Sequence, residues 1–290
     1  MSMSDKDDDL KISHDERAGA FTAEIDGHGL DVEYLRQGER LVFTHTGTHP
    51  ALRGRGLAGR MVEHALQWAA PQGLQVVPAC SYVQAHMQRN RRWQRLLEPA
   101  GVQQVLNFWF GVLGSEGDGQ VRRQWFIKDE AFDTEIRTRF GPLIDAALSD
   151  GLPDWLPRPL GALAAIVVLD QFTRNTFRGQ ARAFAGDAQA LRIALALLDD
   201  GSAAKLNPLE RWFALMPLEH AEDLAIQQRC VREFETLAAI DPRMADPLDY
   251  ARRHLTVIER FGRFPHRNAA LGRASTPDEA AFIAQPGSGF

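Results

Sequence analysis

The sequence has 290 residues, and its 33 Lys and Arg side chains stand against 38 Asp and Glu, which gives a net charge of −5. This acidic balance argues against nucleic acid as a partner, and no apolar run approaches the ~20 residues of a membrane-spanning helix. With only two cysteines, a disulfide framework is not supported, and a cytoplasmic location is expected. A chain of this length accommodates two domains.

Residues 1–14 are rich in Asp and lack an apolar core, so we expect a disordered acidic tail and no signal peptide. Three short stretches that alternate apolar and polar residues follow, at residues 21–25, 30–34 and 41–43. A glycine-rich loop, an amphipathic helix, a short strand near residues 74–77 and a helix capped by Ser81 come next. The order β-β-β-α-β-α predicts a small domain over residues 15–98.

The glycine-rich loop lies directly before the first predicted helix. Glycine tolerates positive φ and lets a ligand approach the backbone, and a helix N-terminus presents N–H groups to an anion. The loop therefore predicts a site for phosphate or pyrophosphate. The candidate cofactor-binding residues are Arg53, Gly54, Arg55, Gly56, Leu57, Ala58, Gly59 and, after the second helix, Asn90.

Two other interpretations of this loop compete with the phosphate site. The spacing Gly54-x-Gly56-x-x-Gly59 satisfies a dinucleotide-binding fingerprint. That fingerprint also requires an acidic residue about 20 residues further on, where this chain is apolar near Val77, so it is disfavoured. The loop is alternatively an ordinary glycine-rich turn before an amphipathic helix.

The small domain resembles the compact single-domain branch of the GNAT acyltransferases over residues 15–97. The motifs that carry the resemblance are Phe43-Thr-His-Thr46, Pro50, Arg53-Gly-Arg-Gly-Leu-Ala58, Val77-Pro-Ala-Cys80 and Tyr82-Val83. The resemblance implies an N-acetyltransferase that uses acetyl-CoA. It also implies a functional cysteine at Cys80, whereas an acid that the branch often has is replaced by Gly47.

Acetyl transfer to an amine requires polarisation of a carbonyl and removal of a proton from the amine. We select Cys80 and His45 as the candidate catalytic residues. Cys80 would be acylated by the thioester or would shuttle a proton; alternatively, it packs as a small hydrophobic residue. His45 would be a base or a phosphate contact; alternatively, it is a hydrogen-bonding turn residue.

Pro99 and Gly101 interrupt the helical pattern and predict a domain boundary. Residues 102–290 show helical periodicity throughout. We therefore predict an α+β two-domain protein, in which an all-α domain follows the small domain and its helices stack in antiparallel pairs. The predicted helices include residues 160–172, residues 188–198 capped by Asp187, and residues 218–237.

The second domain resembles, across nearly all of residues 102–290, the bacterial family catalogued as domain of unknown function 924, which is similar to tetratricopeptide-like arrays. The motifs lie in residues 169–179, 216–224 and 260–276. Their polar side chains form a candidate pocket. Its members are Asp170, Arg174, Asn175, His220, Asp223, His254, Arg260, Arg263, His266 and Asn268.

Four interpretations of this polar set stay open. In the first interpretation, the set is a buried ion-pair network, in which four carboxylates neutralise four arginines. The carboxylates are Asp170, Glu219, Glu222 and Asp223, and the arginines are Arg174, Arg260, Arg263 and Arg267. In the second interpretation, the set is a pocket in which arginines bind a phosphorylated or carboxylated molecule. In the third interpretation, the set is a metal or hydrolytic centre formed by His220, Asp223, His254 and His266, and the spacing predicts that His220 and Asp223 share one helix face. RNA binding is the fourth, and we commit to no metal.

Together these observations predict an acetyl-CoA-dependent N-acyltransferase for an unidentified amine, on a small molecule or a protein. The helical domain would bind the acceptor or a partner protein. Two alternatives stay open: a non-catalytic acyl-CoA-binding scaffold, and an enzyme or anion-binding protein whose site lies in the helical domain. The oligomeric state does not follow from the sequence.

Overall fold

The computed structural model of the chain describes residues 10–38, 40–112 and 115–285. The chain divides into two compact units, residues 1–120 and residues 121–290. We call them the N-terminal unit and the helical unit, and we describe each by itself. Most of the predicted tail, residues 1–9, lies outside the described residues.

The N-terminal unit contains a mixed sheet of five strands. They are β1 (Ser13–Asp15), β2 (Ala20–Ile25), β3 (His28–Gln37), β4 (Arg40–Thr48) and β5 (Gln75–Pro78). They lie in the order of the chain, and all neighbours are antiparallel except β4 and β5, which are parallel. The sheet and its helices confirm the predicted α+β class.

Two strands differ from the prediction. Strand β1 begins inside the predicted tail, because Ser13 pairs with Thr22 and the ring of His14 stacks on Phe21 at 4.0 Å. Strand β4 continues to Thr48 where the sequence predicts a connection after residue 43. The extension places His45 and Gly47 on a strand.

Three helices accompany this sheet: α1 (Leu57–Ala69), α2 (Ser81–Arg89) and α3 (Ala100–Phe110). The N-cap of α2 is Cys80, one residue before the predicted cap. Helix α3 belongs to the N-terminal unit although it follows the predicted boundary. Gln103 explains this, since its Nε2 donates hydrogen bonds to Leu74 O at 2.8 Å and to Glu98 O at 2.7 Å.

Burial alternates along the central strands and defines two faces of the sheet. On β3, Leu30, Val32 and Tyr34 are buried, and they belong to the same core cluster as Met61 and Leu66 of α1. The side chains of the residues between them point to the opposite face of the sheet. We call this second surface the open face; the register assigns to it Ser13, Thr22, Asp31, Glu33, His45 and Gly47.

The helical unit is all-α, with no strand among residues 121–285. Its helices are α4 (Glu130–Asp150), α5 (Pro159–Ile166), α6 (Thr173–Thr176), α7 (Asp187–Asp199), α8 (Pro208–Glu219), α9 (Leu224–Ile240), α10 (Ala245–Phe261) and α11 (Pro277–Ile283). A π-helical turn, Val167–Phe172, joins α5 to α6. Within the described residues, no helix combines the length and apolarity needed to cross a membrane.

The predicted helix over residues 218–237 is wrong, because the structure contains two helices there. Helix α8 ends at Glu219, and α9 begins at Leu224 after its N-cap Asp223, whose side chain accepts a hydrogen bond from Ile226 N at 2.9 Å. His220 and Asp223 therefore do not share one helix face. The predicted cap of α7 is also wrong: Gly186 is the N-cap, and Asp187 is the first helical residue.

Candidate functional site

The glycine loop shapes the N-terminus of α1. Gly54 and Gly56 have φ values of 78° and 76°, in the left-handed region, and Gly56 is the N-cap. A Cβ built on either glycine would meet no atom within 4 Å, so the space in front of the loop is open. In the first turn, the N–H groups of Gly59 and Arg60 donate to Gly56 O at 3.1 and 3.3 Å, so the N–H groups of Leu57 and Ala58 are the ones without an acceptor inside the helix, and Gly56 has no side chain to cap them.

This loop fits a pyrophosphate. Its donors are backbone N–H groups at the positive end of a helix dipole. Leu57 is 1% exposed, so it offers its backbone and not its side chain. Arg55 Nη1 lies 3.9 Å from Asp26 Oδ2, whereas Arg53 is exposed.

A cavity of about 610 Å³ lies beside the loop, and we call it the α1–α2 groove. Its lining includes Gly56, Gly59, Arg60, His86, Asn90 and Arg92. Three of these are predicted cofactor-binding residues. Asn90 is held in place by a hydrogen bond from its Nδ2 to His86 O at 3.0 Å.

The groove also contains Glu63, and its carboxylate is neutralised. Oε2 accepts a hydrogen bond from Trp93 Nε1 at 2.9 Å and lies 3.1 Å from His86 Nε2, while Arg92 donates to Oε1. Burial, and then the charge of Arg89, lowers the pKa of His86. Arg92 therefore supplies the opposing charge, which reduces the repulsion that Glu63 would exert on an anion.

Cys80 lies in the environment of a reactive cysteine. It is the N-cap of α2, and its Sγ donates to Thr46 Oγ1 at 3.5 Å. Burial raises the pKa of the thiol, but the backbone N–H groups of Val83 and Tyr82 and the Thr46 hydroxyl, which can donate to the thiolate once the proton has left, outweigh burial and lower the pKa. Cys230 is the opposite case, because it is fully buried and its pKa is raised.

The first turns of α1 and α2 approach each other. A Cβ built on Gly59, in the first turn of α1, would lie 3.7 Å from Tyr82 Oη, in the first turn of α2. The structure thus places the hydroxyl of Tyr82, two residues after Cys80, beside the glycine loop. Two helix N-termini contribute positive electrostatic potential there.

A carboxylate lies on the open face beside β4. The register pairs Asp31 with Gly47, and a Cβ built on Gly47 would lie 2.8 Å from Asp31 Cγ, so glycine leaves room for this side chain. Asp31 Oδ2 is buried and accepts no hydrogen bond from the described residues, while His45 Nε2 lies 4.0 Å from it. Asp31 also lines a second cavity, of about 750 Å³, together with Glu24.

The two predicted catalytic residues lie on opposite sides of β4. Thr46, which accepts the hydrogen bond from Cys80, pairs with the buried Val32. His45 pairs with Glu33 on the open face. Since neighbouring residues of a strand point to opposite faces, Cys80 and His45 do not contact each other directly.

In the helical unit, Asp170 is fully buried within the π-helical turn. Its carboxylate accepts hydrogen bonds from Gln171 Nε2 at 2.5 Å and His220 Nδ1 at 2.7 Å, and lies 3.0 Å from Arg174 Nη1. Burial would raise the pKa of Asp170, but the charge of Arg174 and the hydrogen bond from His220 hold it well below its usual range. The ionised carboxylate fixes the proton of His220 on Nδ1 and leaves a lone pair on Nε2.

Two arginines converge on Asp187. Arg174 binds its carboxylate with two hydrogen bonds, of 2.8 and 3.0 Å, and Arg267 Nη1 lies 3.3 Å from Oδ2. Both guanidinium groups stand over the ring of Phe184, at 5.6 and 5.0 Å. Burial, and then the charge of Arg174, lowers the pKa of Arg267 to about 10.

Glu219 and His254 form a neutral pair. Glu219 Oε1 lies 3.1 Å from His254 Nδ1, and both residues are buried. Burial, and then the charge of Asp170, raises the pKa of Glu219 to about 8, while burial lowers the pKa of His254 to about 3. Near pH 7 both side chains are uncharged, so Glu219 does not neutralise an arginine as the ion-pair interpretation expects.

Five of the predicted pocket residues take other partners. Asp223 caps α9, Asn175 Nδ2 donates to Asp133 Oδ1 at 2.7 Å, and Arg260 stands over the ring of Phe261 at 4.7 Å. Arg263 Nε donates to Glu279 Oε1 at 2.6 Å, and Asn268 Nδ2 donates to Glu279 Oε2 at 3.3 Å.

His266 is mostly buried beside Arg267. Burial, and then the charge of Arg267, lowers the pKa of His266 to about 4. Glu222, expected to neutralise an arginine of the set, instead receives hydrogen bonds from Arg273, of 2.6 and 2.9 Å. Within residues 10–38, 40–112 and 115–285, no group of three or more His, Cys, Asp or Glu side chains is arranged to hold a metal ion.

The mixed sheet, the glycine loop and the all-α unit define a protein with a GNAT-related acetyltransferase domain followed by a helical domain. Residues 20–96 match the family described as GCN5-related N-acetyl-transferase. Human Protein NATD1 is 33% identical over 86 residues, which cover 28% of this chain and 74% of that protein. Protein NATD1 of Gallus gallus is 31% identical over 86 residues, covering 28% of this chain and 76% of that protein.

The larger part of the chain matches a second family. Residues 105–287 match the family described as bacterial protein of unknown function (DUF924), and the chain belongs to this family. A solved structure of a protein of unknown function, ATU0120 from Agrobacterium tumefaciens, is 35% identical. The match covers 63% of this chain and 96% of that one, with a TM-score of 0.55.

Sequence reasoning did not select three residues that the structure adds to the candidate sites: Asp31, Thr46 and Asp187. It named Arg267 only as a member of the ion-pair network and not of the candidate pocket. The position of Asp31 opposite Gly47 depends on the register between β3 and β4, and the alternation of apolar and polar residues does not determine that register. Asp187 precedes an apolar run and is therefore interpreted as a helix cap. Its partners, Arg174 and Arg267, lie 13 and 80 residues away in the chain.

Proposed function

We propose that the N-terminal unit is an acetyl-CoA-dependent N-acetyltransferase that acts on an amine. The observation that carries the proposal is the approach of two helix N-termini, where Tyr82 lies beside Gly59 and Cys80 is the N-cap of α2. The match of residues 20–96 to the GCN5-related N-acetyl-transferases supports it. The two free cysteines support a cytoplasmic location.

Acetyl-CoA, when bound, supplies an acetyl group that is activated as a thioester. The N–H groups of the first turn of α1 would bind its pyrophosphate, because the helix dipole places partial positive charge there. Gly54 and Gly56 would allow the close approach, since neither carries a Cβ. Asn90 and Arg92 would add polar contacts from the groove.

Cys80 would serve as a proton donor on the side of β4 that faces α1. When the amine attacks the thioester carbonyl, the C–N bond would form, the C–S bond would break, and the Cys80 thiol would protonate the departing CoA sulfur. The Cys80 Sγ–H bond points toward Thr46 Oγ1, and the lowered pKa of Cys80 makes it a stronger acid than an ordinary cysteine. A side chain that gives up its proton at an adjacent atom contributes to catalysis when its pKa lies near the working pH.

The open face would receive the acceptor. A lysine-like amine has an unperturbed pKa of about 10.4, so it arrives protonated and must lose its proton before it attacks. The carboxylate of Asp31 and the imidazole of His45, whose Oδ2 and Nε2 lie 4.0 Å apart, would take this proton as the amine passes the open face, before it attacks the thioester on the other side of β4. Glu24, in the same cavity as Asp31, adds negative charge that attracts a cation.

We further propose that the helical unit binds the acceptor or a partner protein. Two modules in one chain meet at a high effective concentration, which favours this division of labour. A scaffold that binds acetyl-CoA without turnover is the second candidate. The positions of Cys80 and His45 favour it, because the two predicted catalytic residues lie on opposite sides of β4.

Calorimetric titration of acetyl-CoA into the full chain tests the cofactor site. Gly56→Glu would place a carboxylate in the open space before α1, and we expect it to abolish saturable binding. Gly38→Glu is a matched control, because Gly38 also has a positive φ, of 58°, and an open Cβ position. No binding at about 1 mM acetyl-CoA, or equal loss in both variants, would disprove the site.

Turnover separates the enzyme from the scaffold. The release of free CoA thiol is measured with spermidine and with a lysine-containing peptide as acceptors. Amine-dependent release supports the enzyme. Binding of acetyl-CoA without release for either amine supports the scaffold.

A further inference from the structure

Arg267 is a buried cation whose donors the described residues leave unsatisfied. It is 5% exposed, and its one hydrogen bond within the described residues is the 3.3 Å contact from Nη1 to Asp187 Oδ2. Its Nε is buried and has no partner among them. A guanidinium has five N–H donors, and buried polar groups in native proteins nearly always find partners. Arg267 therefore has donors available for an anion.

A second guanidinium stands beside it. Arg174 and Arg267 share the carboxylate of Asp187 and the ring of Phe184. Each positive charge raises the cost of the other. Asp187, with 23% of its side chain exposed, is the carboxylate that both arginines share, and Asp170 adds a second counter-charge at 3.0 Å from Arg174. Among the described residues, Arg267 hydrogen-bonds only to the shared carboxylate, so an anion at this position would give it a counter-charge of its own.

His220 is part of the same cluster. Its Nδ1 proton is directed to Asp170, so Nε2 is the atom that can accept a proton. Burial, and then the charge of Arg174, keeps its pKa low, and the charge of Arg267 acts in the same direction. Its side chain is 12% exposed, whereas Asp170 is fully enclosed.

We propose that the helical unit binds the phosphate or carboxylate group of a small molecule at Arg267, and that His220 takes up a proton when this anion binds. Arg267 binds the anion through charge-assisted hydrogen bonds from its guanidinium. The negative charge of the anion offsets the two arginines, which raises the pKa of His220 above its value in the free protein. The proposal is independent of acetyl transfer by the N-terminal unit.

Proton uptake gives the site a pH dependence with a defined sign. A ligand that raises a pKa binds more tightly at lower pH, so affinity increases as pH falls toward 6. The charged and titratable groups that face His220 are Asp170, Arg174, Asp187, Glu219, His254, His266 and Arg267. At pH 6 Glu219, with a pKa of about 8, is already protonated. His254 and His266 have pKa values of about 3 and about 4, well below that pH.

Isothermal calorimetry on the full chain at pH 6 tests both parts, with inorganic phosphate and succinate as separate probes. Repeating the titration in two buffers that differ in ionisation enthalpy gives the number of protons taken up when the anion binds. We expect Arg267→Gln to weaken binding by at least about tenfold, and Arg267→Lys, which keeps the charge but loses the fork, to weaken it less. Arg252→Gln is the matched control, and its affinity for the anion should stay within about twofold of the wild-type value. Arg252 is an exposed arginine of α10 that pairs with Glu235 at 2.9 Å.

His220→Gln separates the proton from the anion. We expect this variant to bind the anion with no net proton uptake. Phosphate binding without succinate binding, or the reverse, assigns the ligand class. No saturable binding of either probe, binding that survives Arg267→Gln, or uptake that survives His220→Gln would overturn the proposal. If Gly56→Glu removed the phosphate binding instead, the anion would belong to the glycine loop.

Discussion

The carboxylate of Asp31 lies in the space that a side chain at Gly47 would need. The two residues are paired across β3 and β4, and a Cβ built on Gly47 would lie 2.8 Å from Asp31 Cγ. The sequence presents Gly47 as a position without the acid that an acetyltransferase of this type often has. In the folded chain the neighbouring strand brings a carboxylate to that place.

The first prediction concerns this pair. We expect Asp31→Asn to lower kcat for acetyl transfer to spermidine by roughly a hundredfold, because loss of a general base costs about this much. The KM for acetyl-CoA should change little, since Asp31 lies on the open face. We expect Gly47→Ala to act in the same direction, because its Cβ would displace the carboxylate.

Glu33→Gln is the control for this prediction. Glu33 is an exposed carboxylate on the same strand and the same face, and its loss should leave kcat within about twofold. Full activity of Asp31→Asn would show that Asp31 is not the base.

The second prediction concerns the thiol of Cys80. Its lowered pKa should make it react with iodoacetamide faster than Cys230, whose pKa is raised by burial. Thr46→Val removes one hydrogen bond that lowers the pKa, so the pH profile of alkylation should shift to higher pH. Mass spectrometry of the modified peptides measures both sites in one sample. An unchanged profile in Thr46→Val would contradict the role of this hydrogen bond.

The third prediction concerns stability and pH. The pKa of Glu219 is raised to about 8 in the folded chain, against about 4.3 in an unfolded one. The folded state holds the extra proton between these values. This stabilisation is therefore complete below pH ~4.3 and is lost as pH rises to about 8, at about 1.4 kcal/mol per pKa unit.

Glu219→Gln is neutral at every pH, so at roughly 2–4 °C per kcal/mol it should unfold about 10–20 °C above the wild type at pH 8.5 and only about 2–4 °C above it at pH 5. Circular dichroism against temperature measures this. Glu235→Gln, at an exposed position, should show no such difference. Equal midpoints of Glu219→Gln and wild type at pH 8.5 would refute the raised pKa.

The fourth prediction concerns Asp170. Asp170→Asn removes the charge that faces Arg174 and His220 and leaves Arg174 short of a buried counter-charge. We expect the helical unit to lose roughly 3–5 kcal/mol of stability in urea unfolding. Asp199→Asn, which affects an exposed pair with Arg229, should cost less than about 1 kcal/mol. Similar losses in the two variants would argue against a tightly organised cluster.

The predictable features of this fold are those with short-range causes. The apolar run over residues 160–172 predicts a buried helix, and the segment from Gly161 to Phe172 is buried, although its last six residues form a π-helical turn. That turn has no signature in the apolar pattern. The break between α8 and α9 is also missed, because the apolar periodicity continues across Asp223 while its side chain caps the second helix.

The sequence by itself determined the α+β class, the glycine loop before α1, the position of Cys80 and the helical character of residues 121–285. Each of these follows from periodicity or from a motif a few residues long, and local backbone preferences are sufficient to express it. Only the tertiary structure decided that Asp31 faces Gly47 and that Arg267 joins Arg174 at Asp187. These contacts depend on strand register and helix packing, which bring together side chains between 13 and 80 residues apart in the chain. Over such a separation a sequence pattern carries no geometric information.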